Sequence, residues 1–105
     1  MSQVAVDFVL AISYDVERPE NTVLRTNMNS VGVQEVLEAW IHEEIQRPKD
    51  TRPAVKKPVY TIKLGLELSE DIIHMNSDTG NRSLTLGIVA DVFARLSEFT
   101  LQPLA

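Results

Sequence analysis

The sequence contains no cysteine. That excludes disulfides, thiolate zinc sites, thiol nucleophiles and redox pairs, so stability has to come from packing and hydrogen bonding. Glycine is scarce, with four residues, and none falls at GxGxxG or GxxxxGK spacing. No phosphate-cradling loop is therefore encoded. Long apolar runs are also missing: none approaches the ~20 residues that span a bilayer. The start, Met1-Ser2-Gln3-Val4, lacks the basic-then-apolar order of a secretory signal. These absences lead to the expectation of a cytoplasmic protein with no membrane partner and no cofactor. Ten basic residues against fifteen acidic ones give a net charge of −5, which argues against nucleic acid as a partner.

What is present is a strong alternation of periods. A chain of 105 residues is the size of one domain. Val4 to Asp15 alternates, with Val4, Val6, Phe8, Leu10, Ile12 and Tyr14 on one parity, as in a strand buried on one face. Glu17 to Asn21 reads as a turn, and Thr22 to Asn29 as a weaker strand with Leu24 and Met28 inward. Val33, Val36, Leu37, Trp40, Ile41 and Ile45 then form one helical stripe, capped by Asn29 or Ser30 and stopped before Pro48.

The order repeats. Tyr60, Ile62, Leu64, Leu66 and Leu68 alternate, a turn falls at Ser69-Glu70, and a brief strand runs through Ile73 and Met75. After the loop Asp78 to Asn81, a helix carries Ile88, Val89, Val92, Phe93, Leu96 and Phe99, with Gly87 near its first turn. Met28-Asn29-Ser30 and Met75-Asn76-Ser77 match at the exit of each second strand. The expected fold is a single α+β domain, 1–105, with ββα halves 1–47 and 59–105 joined by linker 48–58. Connection rules give a four-stranded antiparallel sheet of order 2-1-3-4 with both helices on one face.

That arrangement leaves one sheet face open. Parity assigns it Asp7, Val9, Ala11, Ser13, Asp15, Thr61, Lys63, Gly65 and Glu67 from the central strands, with Arg25, Asn27, Asn29, His74 and Asn76 at the margins. A small apolar centre with a polar rim matches interface anatomy as well as it matches a solvated face. Twelve extended residues span about 40 Å, whereas a 15-residue helix covers about 22 Å. The first hairpin must therefore bend at a bulge or be covered by a partner around Tyr14 and Arg18.

Little points to catalysis or metal. Glu38 and His42 stand four apart beside Glu35 and Glu43, but the charged outer face of a helix explains them. His74, Ser77 and Asp78 are adjacent in sequence, which is not triad geometry. No catalytic or metal-binding residue is assigned, and the chain is not read as an enzyme. The leading expectation is a non-enzymatic homodimer, or subunit of a small assembly, using Val9, Ala11, Tyr14, Arg18 and Gly65. A second reading is a small-molecule platform of Asn27, Asn29, His74 and Asn76. A third is a regulator touching an acidic partner or nucleic acid through Lys49, Arg52, Lys56 and Lys57 of the proline-stiffened linker.

Overall fold

The computed structural model describes residues 6–67 and 72–104. Strand β1 (Val6–Asp15) leads through a 3₁₀ turn (Pro19–Asn21) to β2 (Val23–Thr26) and helix α1 (Ser30–Glu44). After the linker come β3 (Val59–Glu67), β4 (Ile72–Ser77), helix α2 (Arg82–Ala94), a second 3₁₀ turn (Leu96–Glu98) and β5 (Leu101–Gln102). The sheet runs β4-β3-β1-β2-β5. Its first four strands are antiparallel neighbours in the expected 2-1-3-4 adjacency. The expected four-stranded antiparallel sheet is corrected by β5, which pairs parallel to β2 through Leu24–Leu101 and Arg25–Gln102 and makes the sheet mixed and five-stranded. Two residues before Pro103 show no period, so sequence pattern could not announce this strand. The turn expected at Ser69-Glu70, and residues 1–5, lie outside the described residues.

One hydrophobic core joins the sheet to both helices. Leu10, Ile12, Leu24, Ile62 and Leu64 are fully buried and pack with Val33, Leu37 and Trp40 of α1 and with Ile88, Val89 and Val92 of α2. Burying such side chains stabilises by roughly 1.5–3 kcal/mol each, and this layer fixes which face of the sheet is covered. Tyr60 belongs to the same layer, and its hydroxyl donates to the Val55 carbonyl, holding the linker down.

The alternation of β1 breaks once. Phe8 pairs opposite Gly65 while Leu10 pairs opposite Leu64, so Val9 is the extra residue of a β-bulge. The Thr26 hydroxyl donates to the Val9 carbonyl at 2.6 Å, answering the bond the ladder loses. The side chains of Asp7 and Phe8 consequently change face. Phe8, expected inward, stands on the open face and is 44 % exposed, while Val9, expected on the open face, packs against the core. Asp7 also leaves the open face, standing opposite the inward-parity Leu66.

The two halves correspond differently from the sequence match. Asn29 Oδ1 accepts the Gly32 amide at 2.8 Å, and Asn81 Oδ1 accepts the Leu84 amide at 2.9 Å. Both are N-caps with the same three-residue reach. The cap aligns Asn29 with Asn81, not with Asn76, because the second half inserts the loop Asp78–Gly80 before its helix. Gly80 has φ +72°, the left-handed conformation glycine accepts at little cost. Gly87 lies in the middle of α2 rather than its first turn, with open space where a Cβ would stand.

Candidate functional site

The open face is organised in rows across the strands. Arg25, Ala11, Lys63 and Asn76 form one row. Phe8, Gly65 and His74 form the next, and beyond it Glu67 stands beside Ile72. Ala11 is thus flanked by two cations rather than by an apolar centre. The apolar ground lies further on: Phe8, in the next row, is opposite Gly65, which offers no side chain, and Ile72, in the row beyond, is 42 % exposed. Lys63 Nζ sits 5.9 Å from the Phe8 ring centroid, a cation–π contact that keeps the ring turned across the face.

Glu67 is the unusual member. It lies on the side of the sheet that carries no helix, yet it is only 8 % exposed. His74 Nε2 meets its Oε2 at 2.9 Å. A carboxylate shielded from water needs such a partner, so His74 holds Glu67 in place and is committed to that contact.

The remaining expected residues are distributed as follows. Tyr14 is half-buried, and its hydroxyl donates to Asp91 Oδ2 of α2 at 2.7 Å. Burial first, then the Asp91 carboxylate, pushes the phenol up to about 12. It ties the hairpin to the helix beside a cleft of about 320 Å³ that includes Tyr60, Leu84 and Gly87. Arg18 is exposed at the hairpin turn, where its amide and that of Glu17 bond Asp15 Oδ1.

The four platform residues are not brought together. Asn27 Oδ1 accepts the Leu104 amide, Asn29 caps α1, and only His74 and Asn76 share a strand. β2 and β4 are separated by β1 and β3, about 14 Å across the sheet.

The linker is docked rather than free. Asp50 accepts the Arg82 amide at the start of α2 and pairs with the Arg52 guanidinium at 2.8 Å. Arg52, and then the Arg82 and Arg52 amides, hold the Asp50 carboxyl well below the usual carboxylate range. Lys57 Nζ lies 2.7 Å from Asp78 Oδ2. Burial pushes Asp78 up, but Lys57 and the Thr61 amide outweigh it and leave its pKa lowered. Of the four linker cations, Arg52 and Lys57 therefore spend their charge within the chain. A mixed-charge cleft of about 530 Å³ beside the linker contains Arg47, Lys49 and Arg82, but Glu44 already engages both arginines.

Among the described residues, no three His, Asp or Glu side chains group as metal ligands, and no helix is long and apolar enough to cross a membrane. Ser77 bonds Thr79 and Thr85, and Asp78 bonds Lys57 and Thr61, so neither faces His74 as triad partners would. Sequence reasoning missed Phe8 and Ile72, and placed Glu67 on the open face without its burial or its contact with His74. The run Phe8-Val9-Leu10, apolar on both parities, was the available sign that the alternation could shift. Set against known protein families, curated proteins and solved structures, the chain matches none.

Proposed function

We propose that the chain is a non-enzymatic interaction module that associates with a second copy through its open sheet face. The observation that carries this reading is the bulge at Val9, which turns Phe8 out of the core and lays it opposite Gly65. A ring left 44 % exposed on a sheet, with Ile72 also exposed on the same face two strands away, is the apolar surface an interface buries.

Charge placement supports a second copy as the partner. Along β3, Lys63 and Glu67 flank Gly65 at equal distance on the same face. A two-fold axis across the strands at Gly65 sets each Lys63 over the other copy's Glu67 and each Phe8 over its counterpart. An interface of this kind is self-complementary, as a two-fold contact must be.

The test is the mass in solution of the parent and of Gly65→Arg and Phe8→Glu, by native mass spectrometry and light scattering. A parent assembly that both variants reduce to smaller species, with unchanged circular dichroism, is the expected result. A monomeric parent at about 100 μM, or variants that keep the parent's mass, would remove the reading.

A further inference from the structure

The two edges of the sheet are finished differently. At one edge β2 is covered by β5, and the Leu104 amide bonds Asn27 Oδ1 at 3.2 Å. At the other edge stands β4. The Asp78 amide donates to the Thr61 carbonyl at 3.2 Å. Antiparallel alternation from that bond turns the backbone groups of Ile72, His74 and Asn76 toward β3. Those of Ile73, Met75 and Ser77 point away from the sheet. Among the described residues, no backbone group bonds to them there.

Exposed edges are normally protected by lysine, proline, a bulge or a covering segment. Among the described residues, β4 has none of these. Ile72-Ile73-His74-Met75-Asn76-Ser77 contains no Lys, Arg, Asp, Glu or Pro, and its register with β3 is unbroken. Ile73 and Met75 sit half-buried at the margin of the core. In a chain of net charge −5, this is a segment that two copies can bring together without setting like charges against each other.

We propose that β4 is a second pairing surface, joining antiparallel to β4 of another copy about a two-fold axis at His74, so that two sheets become one. In that register Ile73 and Met75 of the second copy exchange both backbone bonds, and so do Met75 and its Ile73. On the helix-covered side Ile73 then meets Met75 and lengthens the core. On the open side Ile72 faces Asn76. A slide toward Ser77 is opposed by Arg52, which lines a cleft with Met75 and Ser77 at that end of the strand. The pairing is of backbone with backbone and is separate from the open-face contact. Together the two would build an assembly larger than a dimer.

Because the chain has no cysteine, introduced thiols report this register directly. Ile72→Cys and Asn76→Cys replace exposed side chains and leave the His74–Glu67 contact intact. Opposed residues that are not hydrogen-bonded lie about 4.5 Å apart at Cα, within disulfide reach. Mixed under mild oxidation, the two variants should form at least ten times more covalent dimer than either forms alone. No cross-link in the mixture, or equal cross-linking in each variant alone, overturns the pairing. Repeating the mixture in a Gly65→Arg background separates the two contacts. A cross-link that survives there supports the β4 pairing whatever becomes of the open face. A parent dimer that Gly65→Arg dissociates, without any 72–76 cross-link, leaves the open-face contact standing and removes this one.

Discussion

The two helices begin in the same way and are then held differently. α1 and α2 each start on an asparagine whose Oδ1 accepts an amide three residues on. At α1 the arrangement ends there, and Asn29 is exposed. At α2 the cap is also a clamp: Asn81 Nδ2 donates to the Asp50 and Arg52 carbonyls, and Arg82 reaches back to the buried Glu44 of α1. The same local device is a helix start in one half and a fastening for the whole linker in the other. What differs is the segment beside it, because the docked linker has to find partners for its own backbone groups.

The largest effect expected from breaking this asymmetry is at Arg82. Glu44 is 5 % exposed, and Arg82→Ala would leave it with Arg47 alone, 3.4 Å away. A loss of about 3 kcal/mol is expected in urea unfolding, as for a buried carboxylate deprived of its partner. Asn81→Ala should follow at about 2 kcal/mol, since a cap and two linker bonds go together. Limited proteolysis within 48–58 should accelerate in the same variant. Asn29→Ala should cost about 1 kcal/mol, the cap alone. Equal losses at Asn29 and Asn81 would mean that the clamp adds nothing to the cap.

Smaller effects sharpen the contrast. Gly87→Ala in α2 meets no atom within 4 Å and should raise stability by about 0.8 kcal/mol, the helix preference of alanine over glycine. A loss instead would mean that the open space above Gly87 is needed. The smallest effect is on acid response. Asp50 and Asp78 both have lowered pKa values in the folded chain. Their contribution is complete above the unfolded carboxylate value near 4 and is lost as pH falls below it toward the folded values. Asp78→Asn should therefore flatten the fall in melting temperature between about pH 4 and pH 2. Tyr14 acts with the opposite sign: its raised pKa stabilises below pH 10, and that contribution is lost as pH rises toward about 12.

Much of the architecture was legible in particular residues. Val33, Val36, Leu37 and Trp40 define a helical stripe that is buried as a unit. Tyr60, Ile62 and Leu64 alternate strictly, and all three are buried. The candidate surface was legible only in part. Ala11, Lys63, Gly65, His74 and Asn76 were placed on the open face by parity, and their registers put them in adjacent rows. Phe8 was assigned to the wrong side, because a single inserted residue reverses a period of two and Phe8-Val9-Leu10 is apolar in either phase. Asn27 and Asn29 were grouped with His74 and Asn76 because sequence shows residue type, whereas their distance is set by the two strands that lie between them.

The sequence by itself determined the two helices and the first four strands, their order and, beyond the start of β1, the side of each that is apolar, since these follow from periods of 2 and 3.6 along the chain. Tertiary structure alone decided the bulge at Val9, the covering of β2 by β5 and the docking of the linker on α2. Each of these depends on a backbone or side-chain bond between residues distant in the chain: Thr26 to Val9, Leu101 beside Leu24, and Asn81 to Asp50. Such bonds leave no periodic trace, because they are fixed by which polar groups the folded chain leaves without a partner.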